Sequence, residues 1–70
     1  MDIRVLFGRQ LKKLREQAES TQEELAEAIG ITPQHLSDIE RGKYSPGFTK
    51  LPIIASTLKV QIKDLFDFDS

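Results

Sequence analysis

Apolar residues recur through the first twenty positions at the spacing of an α-helix. Intervals of four, four, three and four residues place five side chains on one helical face. They are Ile3, Phe7, Leu11, Leu14 and Ala18. The pattern predicts a first helix from about Ile3 to Glu19, which the polar residues Ser20 and Thr21 interrupt.

A capping box marks the start of a second helix. Thr21 is followed three positions later by Glu24, so each side chain can satisfy a free backbone N–H of the first turn. Gly30 is well suited to the left-handed conformation that ends many helices. A second helix is therefore predicted over about 22–29. Its inner face carries Leu25, Ala26 and Ile29.

A third helix follows almost at once. Only Ile31 separates Gly30 from Thr32, a good N-cap, and Pro33 stands at the first helical position, where its missing N–H costs nothing. Gly42 stops the helix, which is predicted over about 33–41. Its inward side chains are Leu36 and Ile39.

The last third of the chain predicts two more helices after a turn-rich loop, 43–47. They cover about 49–58 and about 62–66, and both have a weak point. Pro52 falls where an uninterrupted helix needs a backbone donor, so the fourth helix should start late or be distorted. Gln61 is a poor N-cap, so the fifth helix should depend on packing.

Composition limits the kinds of protein that this chain can be. Its 70 residues, with no cysteine and no long apolar run, predict one compact all-α domain spanning 1–70, with five helices. We expect no cofactor, no metal site and no membrane insertion. The first residues lack the apolar segment of a signal peptide, so we expect a cytoplasmic protein.

Charge is segregated along the sequence although the net charge is only −1. Residues 21–40 hold five acidic side chains and no Lys or Arg, whereas residues 41–50 hold Arg41, Lys43 and Lys50 and no acid. Nucleic-acid binders are often strongly basic overall, and this chain is not. Composition alone therefore does not decide between a DNA-binding domain and another helical module.

The second and third helices form the pattern of a helix-turn-helix, which projects its second helix into the major groove. Ala26 is small where the third helix would pass over the second, and Gly30 makes the turn. Gln can pair with adenine, and Asp can accept from the amino group of cytosine. The same residues are equally compatible with a solvated surface. The outward side chains of the third helix are Thr32, Pro33, Gln34, Ser37 and Asp38.

The stretches Thr21-Gln22-Glu23-Glu24-Leu25-Ala26 and Leu36-Ser37-Asp38-Ile39-Glu40-Arg41-Gly42-Lys43 resemble the phage repressor and Cro-type helix-turn-helix family, also called XRE-like. The similarity covers roughly Phe7 to Phe66. It implies a five-helix domain with Thr32, Pro33, Gln34 and Asp38 at its base-reading positions, in a nucleoid-associated protein that is bacterial or encoded by a phage or plasmid. Ser37, on the same outward side, completes the predicted base contacts. Pro33 stands where family members often carry a hydrogen-bonding side chain, so it can offer only apolar contact.

The resemblance also implies residues that hold the DNA backbone and brace the fold. Gln22 would bind a phosphate from the start of the second helix, and Lys43 from the loop after the third. Arg15 and Glu40 match a structural ion pair of the family. With the basic residues that flank the third helix and the neighbouring rings, the predicted phosphate contacts are Gln22, His35, Arg41, Lys43, Tyr44 and Lys50.

We therefore predict a non-enzymatic, sequence-specific binder of double-stranded DNA, a repressor or autoregulator that recognises a palindrome as a homodimer. Three apolar residues near the end, Ile62, Phe66 and Phe68, are candidates for the dimer interface, and the alternative is that they complete the core. A lone histidine, His35, without cysteine or a second histidine, does not favour catalysis. The acidic pI near 5.7 keeps a second interpretation open, a protein-interaction module of antitoxin-like or adaptor type.

Overall fold

The computed structural model describes residues 1–68, which form four α-helices and two short 3₁₀ segments and contain no strand. The prediction of an all-α domain is confirmed, but the count of five α-helices is wrong. The segment expected as a fifth α-helix, Ile62–Phe66, has the tighter 3₁₀ geometry, and a second 3₁₀ turn, Phe48–Lys50, leads into the fourth. The α-helices are α1 (Ile3–Gln17), α2 (Gln22–Ile29), α3 (Pro33–Glu40) and α4 (Leu51–Leu58).

One apolar core lies between these helices. Helices α1 and α2 both pack on α3, α4 packs on α2, and the segment Ile62–Phe66 packs on α1 and α4. Ile3 and Ala18, the ends of the apolar stripe, are exposed, because α1 is longer than the core that it covers. The buried apolar side chains are Phe7, Leu11, Leu25, Ala26, Ile29, Leu36, Ile39, Ile54, Ala55, Leu58 and Leu65.

Helix α1 ends two residues before the predicted boundary. Glu19 adopts a left-handed conformation with φ 57°, and the Ser20 N–H donates to the Arg15 carbonyl oxygen at 3.1 Å. This bond closes the helix in the way that a glycine usually permits. No glycine is present there, so the sequence contained no stop signal at this position.

The turn between α2 and α3 has caps on both sides. Gly30 is left-handed at φ 80°, and the Ile31 N–H donates to the Ala26 carbonyl oxygen at 3.0 Å, which ends α2. The Thr32 hydroxyl then accepts from the His35 N–H at 3.1 Å and starts α3. With only Ile31 between these two caps, α3 must leave at a steep angle to α2.

Gly8 allows α1 to approach the end of α3 closely. A Cβ atom built on Gly8 would lie 2.6 Å from the Glu40 carbonyl oxygen and closer still to that of Ile39. No side chain fits between the two backbones, so Gly8 sets how closely α1 and α3 pack. No pattern in the sequence distinguishes this glycine from others.

Pro52 and Gln61, the two positions predicted to weaken helices in the last third of the chain, are both accommodated by local structure. Helix α4 starts at Leu51, so Pro52 lies in its first turn, where no intrahelical donor is required. The proline therefore shortens the predicted helix without distorting it. After α4, Asp64 Oδ2 accepts from the Gln61 N–H at 2.9 Å, which supplies the cap that Gln61 itself could not provide.

Candidate nucleic-acid interface

Helix α3 presents one polar side to solvent and one apolar side to the core. The five residues predicted to read bases lie together on its outer side and at its start, opposite Leu36 and Ile39. Thr32, Pro33 and Gln34 are exposed, and Ser37 and Asp38 are half-buried. This outer surface carries only short or unbranched polar groups and a proline ring, so another molecule can approach the backbone of α3 closely.

The first turn of α3 leaves limited hydrogen-bonding capacity. The Thr32 oxygen is engaged as the N-cap acceptor, but its hydroxyl hydrogen remains available to donate. Pro33 has no polar side chain and offers only its ring. Gln34 is therefore the exposed side chain of this turn with the most donor and acceptor capacity.

Asp38 receives two donors on the same oxygen. Gln34 Nε2 donates to Asp38 Oδ1 at 3.1 Å, and Arg41 Nη2 donates to it at 2.6 Å. The hydrogen bond from Arg41 holds the pKa of the Asp38 carboxyl below its usual range, and Gln34 and Lys43 add to the effect. The carboxylate remains charged at neutral pH, with a neighbouring cation that balances it.

Cationic side chains follow the C-terminal end of α3, and an aromatic contact joins α3 to the loop after it. Arg41 and Lys43 are exposed, and the rings of His35, in the first turn of α3, and Tyr44, in the loop, lie 5.8 Å apart in a tilted contact. These four belong to the predicted phosphate contacts. The structure thus brings His35 and Tyr44 together, and it places Arg41 and Lys43 directly after α3.

A buried ion pair fixes the end of α3 to α1. Arg15 Nε donates to Glu40 Oε2 at 2.7 Å and Arg15 Nη2 to Glu40 Oε1 at 3.1 Å, while Arg15 Nη1 donates to the Ser20 carbonyl oxygen at 2.8 Å. Hydrogen bonding to Glu40 raises the pKa of the Arg15 guanidinium. The side chains of both partners are almost fully buried, so the pair links α1, the loop before α2 and the end of α3.

Two further predicted phosphate contacts, besides the Arg41 that pairs with Asp38, have protein partners. Gln22 Nε2 donates to Glu40 Oε1 at 2.9 Å, which ties the start of α2 to the ion pair. Lys50 Nζ donates to the Ile29 carbonyl oxygen at 2.9 Å, where the unpaired carbonyls at the end of α2 attract a cation. The bonds of Gln22 and Lys50 were not predictable from the sequence, because each joins residues that are far apart in the chain.

An exposed apolar surface lies away from α3. It consists of Ile3, Phe48 and Phe66, which we call the Phe48 patch, with exposed fractions of 58%, 89% and 40%. A groove of about 150 Å³ runs between these side chains, and Phe7 and Leu51 contribute to its wall. Phe48 was not among the residues predicted to be functional.

Two of the three predicted interface residues combine exposure with packing. Phe66 contacts Phe7 with ring centroids 5.3 Å apart, and Phe68 packs edge-on against Phe66 at 6.1 Å. Phe68 is half-buried against the core, whereas Ile62 is 43% exposed. Phe66 and Phe68 therefore help to close the core, and all three residues expose apolar area.

Residues 1–68 contain neither a candidate membrane span nor a candidate metal site. No helix in that range is both long and apolar enough to cross a membrane. Within the same residues no three His, Cys, Asp or Glu side chains are grouped closely enough to hold a metal ion.

A steep two-helix unit with a polar outer side on its second helix defines a helix-turn-helix domain of the DNA-binding regulator class. The helix-turn-helix family profile matches residues 11–65, and the chain belongs to this family, the phage repressor and Cro-type (XRE-like) transcriptional regulators.

Relatives of known structure and sequence agree with this assignment. The chain is 37% identical to the control protein C.BamHI of Bacillus amyloliquefaciens over 68 residues, which are 96% of this chain and 84% of that protein. It is 34% identical to the immunity repressor protein of Bacillus phage phi105 over 79% of this chain, but spans only 38% of that repressor. The crystal structure of the restriction-modification controller protein C.AhdI from Aeromonas hydrophila superposes with a TM-score of 0.87 at 27% identity, covering 94% of this chain and all (100%) of that one.

Proposed function

We propose that this regulator binds double-stranded DNA sequence-specifically as a homodimer and represses transcription, including that of its own gene. The observation that carries the proposal is the outer side of α3, where short polar groups on a helix-turn-helix frame adjoin exposed cations. An α-helix with such a surface fits the major groove of B-DNA. Catalysis is not part of the proposal, and the proposed site of action is the cytoplasmic nucleoid.

The base contacts in this proposal come from the start and middle of α3. Gln34 would pair with an adenine, and Pro33 would contact a thymine methyl group. Thr32 and Ser37 would donate to base edges or to a neighbouring phosphate. Asp38, which was predicted to accept from a cytosine, already accepts from Gln34 and Arg41.

The phosphate contacts come from the ends of the helices. Arg41, Lys43 and Tyr44 are exposed after the end of α3, and the Tyr44 ring contacts that of His35. Gln22 keeps one amide hydrogen and lies at the positive end of α2, where anions bind favourably. The ammonium of Lys50 would have to leave the Ile29 carbonyl to reach a phosphate, so we give it a structural role instead.

The negative net charge does not oppose this proposal, because the acids lie elsewhere or are paired. Glu40 is buried with Arg15, and Asp38 is paired with Arg41. The exposed acids of α2 are Glu23, Glu24 and Glu27, on the solvent side of that helix, away from the core. The cations at the end of α3 thus determine the charge that DNA would meet there.

Dimerisation follows from the requirements of operator binding. A few phosphate contacts per subunit give modest affinity, and two recognition helices about 34 Å apart would meet successive turns of the major groove. We place the interface on Ile62, Phe66 and Phe68, extended by Phe48 and Ile3. The Phe48 patch offers a projecting ring beside a groove, as a self-complementary two-fold contact requires.

Binding of random duplex DNA at two salt concentrations tests the proposal, with fluorescence anisotropy as the measurement. The logarithm of the binding constant should fall with the logarithm of salt, with a slope of about 0.9 for each phosphate contacted. Selection from a random duplex pool should then recover a palindrome. Failure to bind at low salt would leave the protein-interaction module as the better interpretation.

Sedimentation over a range of protein concentrations tests the dimer. Phe48→Asp should favour the monomer, since a charge would replace an exposed ring that the partner must cover. Ile53→Asp is the matched control, because Ile53 is an exposed apolar residue outside the Phe48 patch. Equal dissociation by both substitutions, or by neither, would place the interface elsewhere.

A further inference from the structure

We propose that Asp38 is a positioning residue for DNA recognition, which holds the Gln34 amide and the Arg41 guanidinium in place and does not itself contact a base. This inference rests on the proposed function, since it assigns how the outer side of α3 reads DNA. It follows from the two donors that converge on Asp38 Oδ1, 3.1 Å from Gln34 Nε2 and 2.6 Å from Arg41 Nη2.

The chemistry of the carboxylate determines which way the Gln34 amide faces. An ionised carboxylate only accepts hydrogen bonds, so the amide must turn its nitrogen toward Asp38 and its oxygen away. The oxygen and the second N–H are then left for the DNA. An adenine presents a donor and an acceptor side by side in the major groove, which match these two groups.

The same carboxylate brings Arg41 alongside α3. Arg41 is the C-cap residue, and its side chain reaches back one turn to Asp38. The guanidinium remains 58% exposed, and the N–H groups not used by Asp38 can donate to a phosphate. Held in this position, the side chain loses less conformational freedom when DNA binds.

Asp38 is poorly placed to read a base itself. Only 16% of its side chain is exposed, because Gln34 and Arg41 lie on either side of it. Both donors bind Oδ1, so a contact with cytosine would have to come from Oδ2 of this largely buried side chain. Direct cytosine recognition is therefore the competing explanation that the experiment must separate from positioning.

Base preference measured on four variants separates positioning by Asp38 from direct recognition of a cytosine. The duplex selected from a random pool by the natural protein, and its single-base-pair variants, are titrated by anisotropy with Gln34→Ala, Asp38→Ala, Asp38→Asn and the Gln34→Ala/Asp38→Ala double variant. We expect Gln34→Ala and Asp38→Ala to reduce discrimination at the same base pair by about fivefold or more. The double variant should then discriminate no worse than Gln34→Ala alone.

Asp38→Asn is the conservative rescue. Its amide oxygen can still accept from Gln34 and Arg41, so discrimination at that base pair should stay close to that of the natural protein. Loss at a different base pair, additive with Gln34→Ala, would show that Asp38 reads a base directly. Unchanged discrimination in Asp38→Ala would also overturn the inference.

A measurement without DNA keeps the inference distinct from the proposed function. In the free protein the Gln34 side-chain amide protons should shift in nitrogen-15 NMR spectra as Asp38 is protonated, and this response should be absent in Asp38→Ala. Far-UV circular dichroism checks that each variant is folded. If the natural protein binds no duplex at low salt, the proposed function and the reading role both fail, whereas an unresponsive Gln34 amide overturns the positioning alone.

Discussion

Gly8→Ala should destabilise the domain, although alanine is the better helix former. In the interior of a solvent-exposed helix, replacing glycine by alanine stabilises the helix by about 1 kcal/mol. Here the new Cβ would lie 2.6 Å from the Glu40 carbonyl oxygen, whereas a relaxed carbon–oxygen contact is about 3.3 Å or longer. Helix α1 would therefore have to retreat from α3 by more than about 0.7 Å, since the Ile39 carbonyl oxygen is closer still, and this would loosen the packing of Leu11 and Ile39 beneath it.

The expected net effect is a loss of about 2 kcal/mol in the free energy of unfolding, since overpacking typically costs about 1–3 kcal/mol and the retreat adds lost contacts. The whole free energy of unfolding of a domain of this length is about 4–10 kcal/mol. Urea denaturation followed by circular dichroism should show the midpoint falling by about 2 M if the slope is about 1 kcal/mol/M.

Gly47→Ala is the matched control for this prediction. A Cβ atom on Gly47 meets nothing within 4 Å, and its φ of −70° suits any residue. The free energy of unfolding of this variant should rise by about 0.4–1 kcal/mol, because alanine reduces the conformational entropy of the unfolded chain. If Gly8→Ala were as stable as the natural protein or more so, our account of the contact between α1 and α3 would be refuted.

Three further predictions concern charged groups. Arg15→Met should cost about 3–5 kcal/mol, because it leaves the buried carboxylate of Glu40 without its cation, and thermal unfolding would measure the loss. Asp2 has its pKa lowered from 3.8 to about 2 by hydrogen bonds from Arg4, so its contribution to stability is present above pH 3.8 and is lost as pH falls toward 2. Acid titration should show this component in the natural protein and not in Asp2→Asn. Lys50→Met should lower stability by about 1 kcal/mol without changing the salt dependence of DNA binding.

Each of the three predictions, for Arg15, Asp2 and Lys50, has an outcome that would contradict it. Arg15→Met with an unchanged midpoint would mean that the ion pair adds nothing beyond its side-chain packing. An Asp2 carboxyl that titrates near 3.8 by NMR would remove the acid-sensitive component. For Lys50, the comparison is Lys43→Met, which should lower the salt slope by about 0.9; an equal fall in Lys50→Met would make Lys50 a phosphate contact.

The sequence predicted those parts of the fold that depend on neighbouring residues. The capping box of Thr21, the left-handed Gly30 and the N-cap Thr32 all act within a few positions, so residue type and spacing are enough to locate them. The end of α1 was misplaced, because Glu19 takes a left-handed conformation that its residue type does not favour. The 3₁₀ geometry of Ile62–Phe66 was likewise invisible, since its apolar spacing also fits an α-helix.

Contacts between distant residues explain what the sequence did not predict about the candidate site. Lys50 was expected beside α3 because it follows two other cations in the chain, and its bond to Ile29 appears only once α4 packs on α2. Gly8 and Phe48 gave no periodic signal that separates them from an ordinary helix glycine or a core aromatic. Family resemblance did suggest the pairing of Arg15 with Glu40, which spacing alone could not.

The ways in which α3 is anchored bear on how new operators could arise. The helix is held by its inner side, by the close passage at Gly8 and by the ion pair at Glu40, none of which involves its outer positions. Gene duplication could therefore alter the DNA sequence recognised while the scaffold stays intact. If Asp38 positions Gln34 and Arg41 as proposed, a recognition surface grafted onto a related scaffold would need all three residues to be transferred together.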